Sequence, residues 1–332
     1  MKTPESPLHH SLLFSARSDT PGKEGETAWT MEFTVFRSRN GFRRHAEWTG
    51  IFERRSRDSD QLLRKVFRRT LSFPSGLEQP ERLLESPWAC EGIRFDGRRY
   101  SGSIAASDGD LNWNFEIDGG EDLAFRPLER WLPWRTVRTR VPVRGSWSLA
   151  TRSADGEPFA WSSSEAPATA ILQLRDDRRR IVPTVWFHAQ SLRDTSTGSL
   201  HCAEGLHALP AGRAGPALTS ISAFEPLLKS PDVSLWRALR SSMPRQPDGW
   251  SFRTEQQGLE LRGRIQVEPR HWVTLRHEDV RGRLFYRTSA RMARLEVLAL
   301  ERGKPRGFFA TPFDTWLEWT TRERPIVSPE LR

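Results

Sequence analysis

The segment LNWNFEI at residues 111–117 alternates large apolar side chains with polar ones over its whole length. Such period-two alternation is typical of a β-strand with one face buried and the other in water. The turn residues Asp118-Gly119-Gly120 follow at once, and a strand that runs into such a turn predicts a β-hairpin. The residues around Trp113 therefore indicate an antiparallel β-structure.

The same alternation recurs on both sides of this hairpin, at 29–35 (WTMEFTV) and at 259–267 (LELRGRIQV). Further strands are predicted at 88–93, 99–104, 134–143, 145–151, 169–175, 181–188, 271–276, 282–288, 293–300, 308–309 and 316–320. In the second half the spacing is about 10 to 12 residues, which is typical of an all-β barrel or sandwich. No alternation of strands with long helices occurs, so a parallel α/β fold is not expected.

Two segments carry a helical pattern. Residues 58–67 place apolar side chains on one helical face, and aspartates at the start of the segment can cap the helix. Residues 224–243 also have a helical spacing of apolar residues, with Pro231 suited to the start of the helix and Pro244 to its end. The resulting prediction is an all-β chain of two antiparallel β-barrels or sandwiches with a few short helices. Its expected organisation is a flexible tail at 1–28, an N-terminal β-barrel domain at 29–192, a loop-rich connection at 193–225 and a C-terminal β-barrel domain at 226–325.

The composition excludes several classes of protein. The chain has 332 residues, a formal net charge of +9 and 36% hydrophobic residues, and this length corresponds to about two domains. No apolar run approaches the roughly 18 residues of a membrane-spanning helix. The 14 Trp and 18 Phe exclude a disordered polyelectrolyte. With only Cys90 and Cys202, a disulfide scaffold and a four-cysteine zinc site are excluded.

The positive charge indicates an anionic partner, such as nucleic acid, a membrane surface or an acidic ligand. Only five of the 51 basic residues are lysines, and a bias toward arginine also arises from GC-rich coding sequence. The densest basic run, RDDRRR at 175–180, is broken by two aspartates. We therefore do not expect a nucleic-acid partner, and we retain peripheral contact with an anionic membrane as a hypothesis.

The sequence MKTPESPLHH at residues 1–10 lacks an apolar stretch of signal-peptide length and a small-residue cleavage site after it. Two isolated cysteines are compatible with a reducing compartment. We expect a cytoplasmic protein, with contact at the inner membrane face as the further hypothesis.

No sharp catalytic or cofactor motif is present. His188, His201 and His207, with Cys202 and Glu204 between them, match no standard metal-ligand spacing, so no metal is expected. The G-x-S-x-G turn of serine hydrolases and a Gly-rich phosphate loop are both missing, so no nucleotide cofactor is expected. An activated Cys202 and a pair of glycan-cleaving acids drawn from Glu116 and Glu318 stay open as alternatives.

Several segments resemble the two-domain, calycin-like (lipocalin-like) β-barrel family that includes carotenoid 1,2-hydratase, tocopherol cyclase and uncharacterised bacterial relatives. MEFTVFR at 31–37 is similar to an early strand of that family, and 267–286 with 293–297 is similar to its last hairpins. Residues 308–319 would form the closing strand. The resemblance covers about 29–37, 88–117 and 259–322.

This resemblance implies an internal cavity for an apolar ligand of isoprenoid or acyl type. The chain lacks the His-Asn-Trp-Gly motif of the hydratases and the Gly-Trp-Tyr pattern of the cyclases, so no catalytic residue is transferred from the family. Within such a cavity an ionisable group acts as a general acid and aromatic faces stabilise a developing cation. The candidate catalytic residues are Glu116, His188, His207 and Tyr286. The candidate ligand-binding residues are Trp113, Trp131, Trp134, Trp186, His271 and Trp272.

The leading hypothesis is a protein that binds a hydrophobic small molecule or lipid in a barrel cavity. If it is an enzyme, we expect cofactor-free hydration or cyclisation, by a lyase or isomerase of the hydratase or cyclase type. The alternatives are a non-catalytic lipid carrier with the same fold and a carbohydrate-active β-sandwich.

Overall fold

A computed structural model of the chain is all-β, with a single turn of 3-10 helix at Pro269–His271 in the part of the chain that it describes. The described residues are 8–19, 26–37, 44–55, 62–74, 77, 83, 87–106, 109–117, 121–122, 134–152, 158–164, 168–176, 184–208, 218–222, 249–256, 258–279, 282–322 and 330–331. The chain divides into two compact units. Unit 1 comprises Met1–Ala124 and Pro133–Arg178, and unit 2 comprises Phe125–Leu132 and Arg179–Arg332.

The described strands of unit 1 form one antiparallel sheet. They are β1 (Leu8–Asp19), β2 (Glu26–Arg37), β3 (Arg44–Arg55), β4 (Leu62–Leu71), β5 (Trp88–Cys90), β6 (Ile93–Phe95), β7 (Arg99–Ala106), β8 (Gly109–Ile117), β9 (Glu121–Asp122), β10 (Trp134–Arg152), β11 (Pro158–Ser164) and β12 (Ala168–Asp176). The order is β4-β3-β2-β1-β12-β10-β8-β7-β6-β5, and β9 and β11 pair with β10.

This sheet curls around an aromatic core. Rings from β2 and β3 stack on rings from β8, which is several strands away in the ladder: Trp29 on Phe115 at 4.6 Å and Trp48 on Trp113 at 5.1 Å. The two ends of the sheet also meet, because the Ser72 amide and hydroxyl both donate to Glu91 Oε1 at 2.6 Å. The alternating apolar residues of these strands therefore share one interior.

The described strands of unit 2 form a second sheet in the order β15-β14-β13-β20-β19-β17-β16. They are β13 (Thr184–Asp194), β14 (Leu200–Ala208), β15 (Leu218–Ser222), β16 (Gly249–Gln256), β17 (Leu259–Gln266), β18 (Val273–Glu278), β19 (Leu284–Glu301), β20 (Lys304–Thr321) and β21 (Glu330–Leu331). Strand β18 pairs with β19, and β21 pairs with β18 in parallel. Phe187 on β13 stacks on Phe252 of β16 at 5.3 Å, so this sheet also curls around its own core.

The helix predicted at 58–67 is wrong, because the described part of that segment is the start of strand β4. The segment pairs with β3 along ten residues, from Leu71 opposite Ala46 to Leu62 opposite Arg55. Its arginines bind acids of β3: Arg64 lies 2.6 Å from Glu53. The ladder and these ion pairs outweigh a weak helical pattern, since tertiary contacts override local propensity.

Other expected boundaries also differ from the structure. The expected tail at 1–28 contains β1 and the start of β2, which pair with each other. The expected loop region at 193–225 contains β14 and β15. The units divide at 178/179 rather than within 190–225, because β13 pairs with β14 and β20 of unit 2. The helix predicted at 224–243 lies outside the described residues.

The strands predicted separately at 134–143 and 145–151 are one long strand, β10, and the predicted break between them lies in its middle. Gly145 has φ +129°, and a Cβ atom there would collide with the backbone carbonyl oxygen of Asn114 on β8. We expect Gly145→Ala to lower the free energy of unfolding by roughly 3 kcal/mol or more. The control is Gly303→Ala, at φ +79° with no atom within 4 Å of the new Cβ, which should cost about 1 kcal/mol. Urea denaturation measures both, and equal costs would contradict the steric explanation.

Candidate functional site

Three neighbouring strands of unit 2 are buried on both faces. Residues 185–189 of β13, 287–293 of β19 and 315–318 of β20 are all buried. An antiparallel sheet commonly leaves one face to water, with polar side chains on it. Here the polar side chains opposite the hydrophobic core are screened from solvent as well.

The register brings these side chains onto one face. Trp186 on β13 is opposite Glu318 on β20, which is opposite Ser289 on β19. One step along, His188 is opposite Trp316. Arg291 lies in the irregular stretch of β19 between Ala290 and Ala293, beside Trp316. We call these residues the polar cluster: Trp186, His188, Ser289, Arg291, Trp316 and Glu318.

The members of the polar cluster contact one another. The Trp186 and Trp316 rings meet edge to face at 5.2 Å, and the Trp186 ring lies 6.2 Å from the nearly parallel His188 ring. Arg291 Cζ lies 5.7 Å from the centre of the Trp316 ring, and its Nη2 donates to Ser289 Oγ at 3.2 Å. Every member is between 2% and 6% exposed. The Arg291 guanidinium thus contacts the Ser289 hydroxyl and the face of the Trp316 ring.

This arrangement supplies the groups that acid–base chemistry needs. A carboxylate and an imidazole can exchange protons with a substrate, and indole faces stabilise a nearby positive charge. Arg287, buried opposite Thr320 in the next row, adds a second guanidinium. Burying ionisable groups is costly, so such clusters occur either at functional sites or in polar networks that fix packing.

The described core of unit 1, in contrast, is made of apolar and aromatic side chains that pack on one another. Trp113 is 3% exposed and packs 5.7 Å from the Tyr100 ring, in addition to its stack on Trp48. Trp48 Nε1 donates to Tyr100 Oη at 3.0 Å, and burial raises the pKa of Tyr100 above its ordinary value. Burial also raises the pKa of Cys90 to about 11. That thiol stays protonated near neutral pH and is not a nucleophile.

Two of the residues predicted from sequence, Trp186 and His188, belong to the polar cluster. Tyr286 is half-buried on β19 and is one residue out of phase with Arg287 and Ser289, so it faces the other side of the sheet. Glu116 is exposed on β8, with its side chain outside the core of unit 1. It was a candidate only if that face turned inward, and the face turns outward.

The structure does not bring Trp113, His271 or Trp272 to the polar cluster. Trp113 is a core residue of unit 1. His271 is buried in the 3-10 turn with Nε2 3.7 Å from Glu268, and Trp272 is in the core of unit 2. The backbone of His207 pairs with Val185, and that of Trp134 pairs with Arg175. The side chains of His207 and Trp134, and Trp131 as a whole, lie outside the described part of the chain.

Sequence reasoning did not assign Ser289, Arg291 and Trp316 to a site, and it considered Glu318 only as an acid for glycan cleavage. A signal was present in VWFHA at 185–189 and WLEW at 316–319. Both segments have large apolar residues at successive positions, which is typical of strands buried on both faces. A polar residue in such a strand is a candidate for a buried site.

Other kinds of site find less support. Within the described residues, no group of three or more His, Cys, Asp or Glu could hold a metal ion. A glycan-binding groove would present exposed Trp rings, but every Trp whose side chain is described is buried, apart from the half-buried Trp319. Among the described residues, no helix is long and apolar enough to cross a membrane.

Comparison with known proteins gives distant structural likenesses. No protein-family model matches the chain. No curated protein matches it either. The fold is similar to an AttH-type protein of Nitrosomonas europaea, with a TM-score of 0.47 and 13% identity over 96% of this chain and 93% of that one. It is also similar to kievitone hydratase from Nectria haematococca, with a TM-score of 0.47 and 11% identity over 94% and 88% of the two chains. At these identities the likeness concerns the fold alone.

Proposed function

We propose that the protein binds an apolar small molecule of isoprenoid or acyl type at the polar cluster and adds water to it, or removes water from it, without a cofactor. The observation that carries this proposal is the burial of an imidazole and a carboxylate beside two indole rings on one face of three adjacent strands. A mainly apolar surface with a few buried polar groups is the usual composition of a small-molecule site. The ligand class rests on the family resemblance of the sequence.

In the hydration direction, the Glu318 carboxyl group donates a proton to one alkene carbon. The double-bond electrons form the new C–H bond, and the other carbon becomes a cation beside the indole rings of Trp186 and Trp316. Water attacks that carbon and loses a proton to His188, which later returns it to Glu318. One water is consumed and the protein ends in its starting protonation state. Dehydration follows the same steps in reverse.

This proposal moves the site from the barrel interior to the opposite face of a sheet. The described core of unit 1 consists of apolar and aromatic side chains with stacked rings. The polar cluster has both a proton donor and a proton acceptor. A carrier requires only apolar lining, so the buried His188 and Glu318 favour an enzyme over a carrier.

The test uses the full-length protein purified from its own host without delipidation. Native mass spectrometry and lipid extraction should detect a bound apolar molecule, and its conversion in isotopically labelled water should place the label in a new hydroxyl group. Binding without conversion would contradict the catalytic part of the proposal and identify a carrier. If nothing co-purifies and a panel of isoprenoids and fatty acids fails to bind, the whole proposal is overturned.

A further inference from the structure

Apolar side chains are exposed at one end of unit 2. Among the described residues, the exposed large hydrophobic side chains are Leu200 at 52%, Leu284 at 43% and Phe308 at 41%. Leu284 begins β19, whereas Phe308 pairs with Leu298 near the other end of that strand. Leu200 and Phe308 therefore lie far from Leu284.

The register places Leu200 and Phe308 on the same face of the sheet. Leu200 is opposite Arg193 on β13, and Arg193 is opposite Ala310 on β20. Phe308 is two residues from Ala310, so it has the same orientation. The Phe308 carbonyl also accepts from the Thr195 amide at 3.0 Å, which joins the β13–β14 turn to this strand. The two exposed apolar side chains thus lie on one face at the same end of the sheet, on strands β14 and β20 that both flank β13.

Exposed arginines lie on the same face of the sheet as Leu200 and Phe308. The face of the sheet that carries Leu200 and Phe308 ends at the β19–β20 hairpin and is called here the hairpin face. It presents exposed guanidinium groups on β13, β16, β17, β19 and β20. They are Arg193, Arg253, Arg262, Arg264, Arg294 and Arg306. Outside the polar cluster, the described acids on the face are Glu255, Glu260 and Glu296.

Outside the polar cluster, the hairpin face has fewer described acids than arginines, and ion pairs with arginines neutralise two of these acids. Glu260 forms ion pairs with Arg253 and with Arg262, the latter at 2.7 Å, and Glu296 lies 2.6 Å from Arg294. The charges of this face leave a positive excess around exposed hydrophobic side chains. A surface with that composition complements an anionic lipid headgroup layer, because arginines pair with phosphates while apolar side chains enter the interface.

We propose that the hairpin face docks unit 2 onto an anionic lipid bilayer, with Phe308 and Leu200 at the acyl boundary and the arginines on lipid phosphates. The polar cluster is on the same face, since β20 runs from Phe308 and Ala310 toward Trp316 and Glu318. Docking here would place the site beside the phase in which an apolar ligand dissolves. Docking itself needs no ligand and does not depend on the proposed catalysis.

The experiment is vesicle co-sedimentation of the full chain. We expect binding to vesicles of phosphatidylcholine with about one third phosphatidylglycerol, and release when the ionic strength rises from about 0.1 M to about 0.5 M. Leu200→Ser with Phe308→Ser should weaken partitioning at least about tenfold. Arg193→Ser with Arg306→Ser should weaken it about 25-fold, at about fivefold for each arginine. Neither pair includes a residue of the polar cluster.

Leu284→Ser is the matched control, because it removes an equally exposed leucine at the opposite end of β19 and should leave partitioning unchanged. Equal loss in Leu284→Ser and in the Leu200/Phe308 variant would overturn the proposal, since it would show nonspecific adsorption. Binding that is equal on neutral vesicles would overturn the role of the arginines. If sedimentation velocity shows that the Leu200/Phe308 variant instead dissociates a dimer, while vesicles do not bind, the face is an interface between two copies and the lipid proposal fails.

Discussion

Glu318→Gln will reduce the turnover of the apolar substrate by about 10²- to 10⁴-fold, the range that a positioned general acid or base contributes. The substitution keeps the shape of the side chain and removes only its capacity to deliver and recover a proton. Glu318 is buried between Trp186 and Ser289 in register, so water cannot readily replace it. The loss should appear in kcat with little change in KM, because the apolar contacts with the ligand remain.

The matched control is Glu301→Gln, an exposed glutamate at the far end of β19. It makes the same chemical substitution in the same unit and should leave turnover within about twofold, since surface substitutions away from special features have small effects. His188→Asn should also reduce kcat and should remove one limb of the pH–rate profile. A merely structural role for His188 would lower thermal stability and leave the shape of that profile intact.

One outcome would contradict the proposed role of Glu318 in proton transfer. If Glu318→Gln is folded, binds the ligand and turns it over at the wild-type rate, then Glu318 takes no part in proton transfer. The polar cluster would then be a packing network of the kind that buried charges can form. Unchanged turnover in both Glu318→Gln and His188→Asn would require another site for the chemistry.

The strands could be predicted from the sequence because alternation is a local signal. LNWNFEI at 111–117 becomes β8 with every second residue buried, and LELRGRIQ becomes β17 with the same pattern. The prediction was wrong where secondary structure depends on pairing with a strand that is distant in sequence. The segment of β4 has a helical spacing of apolar residues, and only its ten-residue ladder with β3 determines that it is a strand.

The site was harder to predict because it is defined by register between strands that are distant in sequence. Trp186 and Glu318 become neighbours only when β13 pairs with β20, across more than a hundred residues of chain. Arg291 reaches Trp316 through an irregular stretch of β19, which no simple period predicts. The abundance of tryptophan in the sequence made Trp113 a candidate ligand-binding residue, but its side chain packs in the core of unit 1.

Trp113→Ala will lower the free energy of unfolding by about 3–5 kcal/mol, the usual cost of removing a large buried aromatic side chain. Trp113 stacks on Trp48 and packs on Tyr100, and its ring also covers Gly102, where a Cβ atom would collide with it. Truncation would leave Trp48 and Tyr100 facing a void. Calorimetry should show a fall of about 10 °C in the transition of unit 1, at roughly 2–4 °C for each kcal/mol in a unit of this size.

Two further variants on this chain make the Trp113 experiment specific. Glu116→Gln changes an exposed residue of the same strand and should stay within about 0.5 kcal/mol of wild type. Trp113→Phe keeps an aromatic ring and should lose much less stability than the alanine variant. Below its melting temperature, Trp113→Ala should bind ligand as wild type does, because the polar cluster belongs to the other unit. If Trp113→Ala keeps its stability and loses the ligand instead, the interior of unit 1 is the binding cavity, as the sequence first suggested.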